Sequence, residues 1–587
     1  MVPRASAASM TTFRLHITFF VLILAAVALL GRLFSLQVHQ YGTFAAFARG
    51  QQQVVEAVAP ERGAILARTR DGTETKFAIN RDWQRVYAIP REIEDVGKTV
   101  GVLKEVLGLD EARVTDLTER LGRKDDPYEP VADKLNDEQA ARISEAALPG
   151  LRLTSFRGRF YPQGMRLAHT IGFVGFAADG ITQQGVYGIE AGYEDTLRGT
   201  PGMIRGERDA QGTVLEAFSS SGAMALPGAD IVLTIDPNIQ YQAEKNLREI
   251  DSQFGASGGS VIVMEPRTGA IRALANEPTF DPNRYGKIED LSVFTNSAIA
   301  VPYEPGSTFK PMTMAAALDS GAVRPDTTFQ NTGSLVINGY TISNTLQQYN
   351  GVRPMVDVLR YSLNTGAIFA MEAAGHERFR AAVKAFGFGA PTGIELPEEH
   401  VGSIENLETN RPINFATAAF GQGITATALQ MARAIGAIAN GGVLIQPRLI
   451  EEVRYPNGER STVESKEGKR IIAQATATRL AAMMMRVIED GTGIKAKIPG
   501  YSIAGKTGTA QIPYVGQPGY EEDTIHTFAG FFPAFDPQYV ILTKVDRPHG
   551  VRYAEATAVP VFRKLAEYLI TYAAIPPDQP STNPSEQ

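Results

Sequence analysis

Tyr303-Glu304-Pro305-Gly306-Ser307-Thr308-Phe309-Lys310 stands just past the middle of the chain. Its first four residues read as a turn that Ser307 ends, and residues 308–318 are apolar and small, which predicts a buried helix opened by Ser307. Lys310 then falls on the same helix face, one turn on, within reach of the Ser307 hydroxyl. Pro311 is tolerated because the first turn lacks intrahelical partners anyway. A helix opening also offers backbone N–H groups, that of Ser307 among them, to a developing oxyanion. For Lys310 to act as a base its amine must be neutral near neutral pH, which requires burial or a positive neighbour.

Two later strings complete the pattern, Ser362-Leu363-Asn364 and Lys506-Thr507-Gly508. Ser-x-x-Lys and Ser-x-Asn each arise by chance in a chain of this length, so the order and spacing of the set carry the reading. Ser362 follows Ser307 by 55 positions and Lys506 follows Ser362 by 144, which leaves room for helices before a strand returns the lysine. Together they supply a nucleophile with its base, a second hydroxyl and amide, and a cation, the equipment of a serine acyltransferase. Residues 501–511 read as extended, with 527–532 as the antiparallel partner across a loop rich in Gly, Pro and acids. Lys506 then sits on a sheet edge, which can receive an extended peptide whose terminal carboxylate Lys506, Thr507 and Thr509 grip.

Around this centre, residues 228–234 predict a strand, 237–254 a helix, 259–265 and 270–276 two strands, and 554–572 a closing helix. Strands bracketing a helix-rich middle give an α/β sandwich with a mostly antiparallel sheet. Residues 15–34 are apolar apart from His16, Thr18 and Arg32, long enough as a helix to cross a bilayer. Arg4 and Arg14 precede it with no acidic residue, which keeps the tail cytoplasmic and exports the bulk. The rival is a signal peptide cut near Ala26-Val27-Ala28, although the apolar run continues beyond it. The expected organisation is a cytoplasmic tail 1–14, an anchor 15–36, a non-catalytic mixed α/β pedestal 37–225, a catalytic domain 226–575 and a proline-rich, disordered tail 576–587.

The chain has 587 residues, enough for several domains. A formal net charge of −7 argues against nucleic acid as a partner, and the absence of cysteine excludes disulfides and thiolate metal sites. The seven histidines are scattered without ligand spacing, so neither metal nor cofactor is expected. Glu395, Glu398 and Glu399 read as solvated loop carboxylates. Gly500-Tyr501-Ser502-Ile503-Ala504-Gly505-Lys506-Thr507 matches the phosphate-loop pattern letter for letter, but strand-like residues and the following Pro and Gly exclude the helix such a loop must open. Gly255-Ala256-Ser257-Gly258-Gly259 matches a hydrolase elbow yet links a helix to a strand, the reverse order.

With these motifs, and with Arg32-Leu33-Phe34-Ser35-Leu36-Gln37-Val38, Pro60-Glu61-Arg62-Gly63, Arg159-Phe160-Tyr161-Pro162, Thr234-Ile235-Asp236-Pro237 and Gly421-Gln422-Gly423-Ile424, the chain closely resembles a class B penicillin-binding protein from residue 32 to about 570. The resemblance implies a membrane-anchored multidomain α+β protein with a β-lactamase-like transpeptidase domain, a single-pass protein of the inner membrane with that domain outside the cytoplasm. It implies that Ser307, deprotonated by Lys310, attacks the D-Ala-D-Ala carbonyl of peptidoglycan stem peptides, releasing D-alanine. Ser362 relays a proton, Asn364 orients Lys310, the N–H groups of Ser307 and Thr509 hold the oxyanion, and Lys506, Thr507, Gly508 and Thr509 bind the carboxylate. β-Lactam antibiotics would acylate Ser307. The expected partners are a SEDS-family glycosyltransferase (FtsW-like) and other divisome proteins in an FtsI-like septal role, with an elongation role and a β-lactam sensor or scaffold as alternatives. A penicillinase or carboxypeptidase is disfavoured, since no glutamate motif for deacylation lies between Asn364 and Lys506. One departure stands out: Asn296-Ser297-Ala298 lacks the arginine that related transpeptidases carry after this asparagine.

Overall fold

The computed structural model describes residues 7–45, 53–177, 183–208, 214–221, 223–345, 349–514 and 516–579. They divide into two compact units. One comprises residues up to 61 and 199–227. It holds a 28-residue helix, Ala7–Phe34, with the length and composition of a membrane anchor and every side chain from 12 to 34 exposed. It also holds a three-stranded antiparallel sheet of Gln53–Val58, Gly202–Arg208 and Val214–Ser221.

The second unit spans 62–198 and 228 onward, and strand pairing ties its two stretches together. Ile65–Arg68 lies parallel to Asp230–Leu233, with Ile65 opposite Ile231, and antiparallel to Glu74–Ala88. Gly63 makes this junction possible: a Cβ there would lie 1.9 Å from the Ala229 carbonyl oxygen. Helices Val96–Leu107, Glu111–Gly122 and Asp137–Glu145 close a separate small core around Val86, Leu103, Leu121 and Ile143.

Glu190 is fully buried and binds two arginines, Arg62 Nε at 2.7 Å and Arg159 Nε at 2.6 Å. Arg62 also reaches Glu194 at 2.7 Å. Removing one partner of a buried ion cluster strands the others, so Glu190→Ala should cost about 3–5 kcal/mol. Urea denaturation of the full chain measures this, and a loss under about 1 kcal/mol would show that water already compensates the two guanidiniums.

The catalytic sheet has five strands, β1 (Gly258–Met264), β2 (Ile271–Glu277), β3 (Ala504–Pro513), β4 (Tyr520–Phe532) and β5 (Tyr539–Asp546), in the order β2-β1-β5-β4-β3. Every pair is antiparallel, as expected, and β3 is the edge. Helix α1 (Pro237–Phe254) starts where the Asp236 carboxylate accepts from the Asn238 and Ile239 N–H groups and ends at Gly255, whose φ is +58°. The elbow-like string is thus a helix-to-strand turn, and the phosphate-loop string runs into strand β3 rather than a helix.

Three local expectations are corrected. Ser307 does not open an α-helix: Gly306–Phe309 is a 3-10 turn, and α2 (Lys310–Asp319) follows. The Lys310 N–H reaches back three residues to the Ser307 carbonyl, while Pro311, having no N–H, fits only in the first α turn. Strand β4 starts seven residues before the expected 527, because Glu521 and Asp523 are held by Arg547. The tail is packed at its start, where Asp578 accepts from the Ser502 N–H at 2.7 Å; residues 580–587 lie outside the described residues.

Candidate active site

Each functional side chain arrives on a different element. Ser307 stands on the 3-10 turn against β3, and α2 carries Lys310 behind it. The turn is tight because glycines allow it. A Cβ on Gly421 would lie 2.2 Å from the Gly306 carbonyl oxygen, and one on Gly508 2.4 Å from Thr527 Oγ1 and 2.9 Å from Thr308 Cγ2. Gly508→Ala therefore pushes β3 off the nucleophile turn. The expected loss is about 1–3 kcal/mol of stability and more than tenfold in penicillin acylation rate, measured on the same preparation; an unchanged rate would show that the turn can give way.

Ser362 ends a short helix, Met355–Arg360, in a left-handed conformation with φ +59°, where glycine is usual. Holding a serine there costs of order 1 kcal/mol. The conformation turns both its carbonyl and its hydroxyl toward Lys310. Lys310 Nζ lies 2.6 Å from Ser362 O, 3.1 Å from Ser362 Oγ and 2.8 Å from Asn364 Oδ1. Asn364 opens α3 (Asn364–Ala374), and its amide donates to the Ser343 carbonyl at 2.9 Å. Among the described residues no hydrogen bond joins the Lys310 amine to the Ser307 hydroxyl, which differs from the expected pairing: the second hydroxyl and the amide compete for the amine and win.

Lys506 comes from the β3 edge and is fully buried. It donates to Ser362 Oγ at 3.1 Å and to the Thr507 carbonyl at 3.0 Å. One hydroxyl thus bridges two lysines. Burial and the neighbouring Lys506 charge hold the Lys310 amine well below the ordinary lysine range, while burial lowers Lys506 to about 7. The unfolded chain keeps Lys506 protonated to its ordinary 10.5, so between these values the unfolded state binds more protons and stability rises with pH. Against Lys506→Met, the wild type should gain up to about 1.4 kcal/mol per pH unit in that window. Denaturation curves at pH 7 and pH 9 measure it, and equal slopes would show an unperturbed lysine.

Ser307, Ser362, Asn364, Thr507 and Thr509 line one cleft of about 1080 Å³, over buried Lys310 and Lys506. Gly508 lies beneath, setting the strand's approach. Sequence reading missed several supports. Thr492 shares a 2.9 Å hydroxyl contact with Thr507, and Glu304 accepts the Gly423 N–H at 2.8 Å. The Gly-Thr-Gly string at 491–493 was the available signal for Thr492, while Glu304 and Gly423 stand in strings quoted above that carry no sign of their pairing. Glu395 and Glu399 are not free loop carboxylates; they accept from the Leu449 and Thr392 N–H groups at 2.8 and 2.7 Å. At the departure from the usual arginine, Ser297 Oγ lies 2.9 Å from both Ser260 Oγ and Asn276 Oδ1.

An antiparallel sheet whose edge strand carries buried Lys506, beside a cleft lined by Ser307 and Ser362, fits a serine acyltransferase. Sequence comparison agrees: the profile of the penicillin binding protein transpeptidase domain matches residues 259–567, and that of the penicillin-binding protein dimerisation domain matches 57–233. The chain belongs to the penicillin-binding protein family. Among its relatives, Stage V sporulation protein D of Bacillus subtilis is 32% identical over 86% of this chain and 77% of its own. Peptidoglycan D,D-transpeptidase FtsI of Escherichia coli is 29% identical over 96% and 92%. The crystal structure of penicillin binding protein 3 from Mycobacterium tuberculosis in complex with aztreonam superposes with a TM-score of 0.68 at 27% identity, covering 90% of this chain and 99% of that one.

Proposed function

We propose that this protein is a peptidoglycan D,D-transpeptidase acting through a Ser307 acyl-enzyme. The observation that carries the reading is Ser362 Oγ at 3.1 Å from both lysine nitrogens. The neutral Lys310 amine takes the Ser307 proton as the hydroxyl attacks the carbonyl between two terminal D-alanines. The Ser307 and Thr509 N–H groups hold the oxyanion. Ser362 passes the proton to the departing D-alanine amine, and Asn364 keeps Lys310 aimed. Lys506, Thr507 and Thr509 hold the substrate carboxylate, with Gly508 allowing the close approach. An amine from a neighbouring stem peptide then takes the acyl group and frees Ser307. β-Lactams enter the same path as substrate mimics.

The FtsI and sporulation relatives favour a septal role. On this reading the N-terminal helix anchors the protein in the inner membrane, with the catalytic domain on the extracytoplasmic side, beside an FtsW-like SEDS glycosyltransferase and other divisome proteins. The test is to supply the full chain with a stem-peptide donor and an acceptor amine, following D-alanine release and cross-linked product together. Matched amounts are expected. Release without cross-links would make it a carboxypeptidase, and a penicillin adduct with neither product would make it a sensor or scaffold.

A further inference from the structure

One row of residues crosses all five strands of the catalytic sheet beneath the segment that carries Ser307. Asn276 on β2 stands opposite Ser260 on β1, Ser260 opposite Lys544 on β5, Lys544 opposite Thr527 on β4, and Thr527 opposite Gly508 on β3. Residues opposite one another in a ladder share a face, and this face meets residues 296–308. Asn276 Oδ1 accepts from the Ser297 hydroxyl at 2.9 Å and the Ala298 N–H at 3.1 Å, and a Cβ on Gly508 would lie 2.9 Å from Thr308 Cγ2. The next row on the same face, Leu274, Ile262, Leu542 and Ala529, is apolar until it reaches Lys506 on β3. Lys544 breaks the pattern as a buried charge on an inner strand: it is 2% exposed, and the reaction above does not use it.

Lys544 Nζ donates to both Asp546 carboxylate oxygens, at 2.6 and 2.5 Å, and lies 5.2 Å from the centroid of the Tyr303 ring, close enough for an ammonium to be attracted to an aromatic face. Tyr303 precedes Ser307 in the same turn-forming string. Its backbone exchanges two hydrogen bonds of 2.9 Å with Ala426, while its side chain is buried and its hydroxyl has no hydrogen-bond partner among the described residues. The ring face is thus the side chain's contact with the charged row. A buried ion pair adds little stability over apolar side chains of the same volume, so fold stability alone does not account for a charge at this place.

Resting on the proposed function, we propose that Lys544 is a positioning residue for the acylation of Ser307. Asp546 fixes its ammonium, the ammonium holds the Tyr303 ring, and Tyr303, pinned through its backbone to Ala426, sets the Gly306–Phe309 turn against the edge strand. Lys544 does not line the cleft, so it acts on the bond-forming step and not on β-lactam binding. Without the charge the ring shifts, and a misplacement of about 1 Å at a reacting atom costs about 100-fold in rate.

Stopped-flow acylation of the full chain by a chromogenic cephalosporin, over a range of concentrations, separates the burst amplitude, which counts folded sites, from the dissociation constant of the noncovalent complex and the rate constant of acylation. Lys544→Met should lower the rate constant by about tenfold or more and leave the dissociation constant within about twofold. Lys544→Arg keeps the charge and should recover the rate to within about threefold. Tyr303→Leu should show the same loss as Lys544→Met, and combining the two should add less than about twofold, because they act through one contact. The rate constant is read only from chains that give a burst, so partial misfolding does not imitate the result. A Lys544→Met rate within twofold of wild type, a loss confined to amplitude, or an undiminished effect of Lys544→Met in the Tyr303→Leu background overturns the inference. The wild type separates the levels: normal acylation that ignores Lys544→Met sinks only the positioning role, whereas a wild type with no burst sinks the proposed function with it.

Discussion

Ser307→Ala protein incubated with a penicillin keeps its unmodified mass, while the wild type gains one penicillin per chain and loses it slowly over hours. That is the expected result of intact-mass analysis on the two proteins. The hydroxyl of Ser307 is the one that the 3-10 turn sets against the β3 edge, with the Lys310 amine behind it. Ser362, the other serine of the motif set lining the cleft, already bridges two buried lysines through its Oγ, so it does not replace the lost nucleophile. An adduct that survives Ser307→Ala would undo the assignment, and loss of the wild-type adduct within seconds would make the protein a penicillinase.

Lys310→Ala should slow acylation by about 10³-fold, the usual worth of a positioned general base, while the protein still folds. The pH profile of the wild type sharpens the point. Lys310 is a working base only above its lowered pKa, so acylation should hold near neutral pH and fall as acid protonates the amine. Above about 7 Lys506 loses its charge, and the carboxylate-bearing substrate should bind more weakly, giving a bell-shaped kcat/KM. Stopped-flow acylation with a chromogenic β-lactam measures both. A Lys310→Ala rate within tenfold of wild type would assign the base to another group.

Much of the catalytic domain is legible because local signals and the fold agree. Asp236-Pro237 caps α1 where sequence reading starts it, and Gly255 ends it. The motif strings name Ser307, Ser362, Asn364 and Thr507 among the residues that line the cleft, since each role needs a particular functional group. The failures have physical causes too. Glu521-Glu522-Asp523 reads as loop because three acids in a row avoid sheets, yet Arg547, from beyond β5, holds two of them. Glu395 and Glu399 look solvated until the backbone N–H groups of Leu449 and Thr392 are brought to them. The left-handed Ser362 has no signature at all, because a serine there is stable only while surrounding bonds hold it.

Residue types in order carry the chemistry and the class of fold. Nucleophile, lysines, amide and hydroxyls are written as residue types in order, and strand and helix periodicities place them on an antiparallel sandwich. Which group binds which follows from the packing of distant segments. Lys310 holds Ser362 and Asn364 rather than Ser307, Lys506 shares the same hydroxyl, and the strand Ile65–Arg68 from the first third of the chain pairs beside Asp230–Leu233. Those choices depend on groups far apart in sequence competing for one buried partner. Burial sets the outcome, because an unsatisfied polar group is costly there.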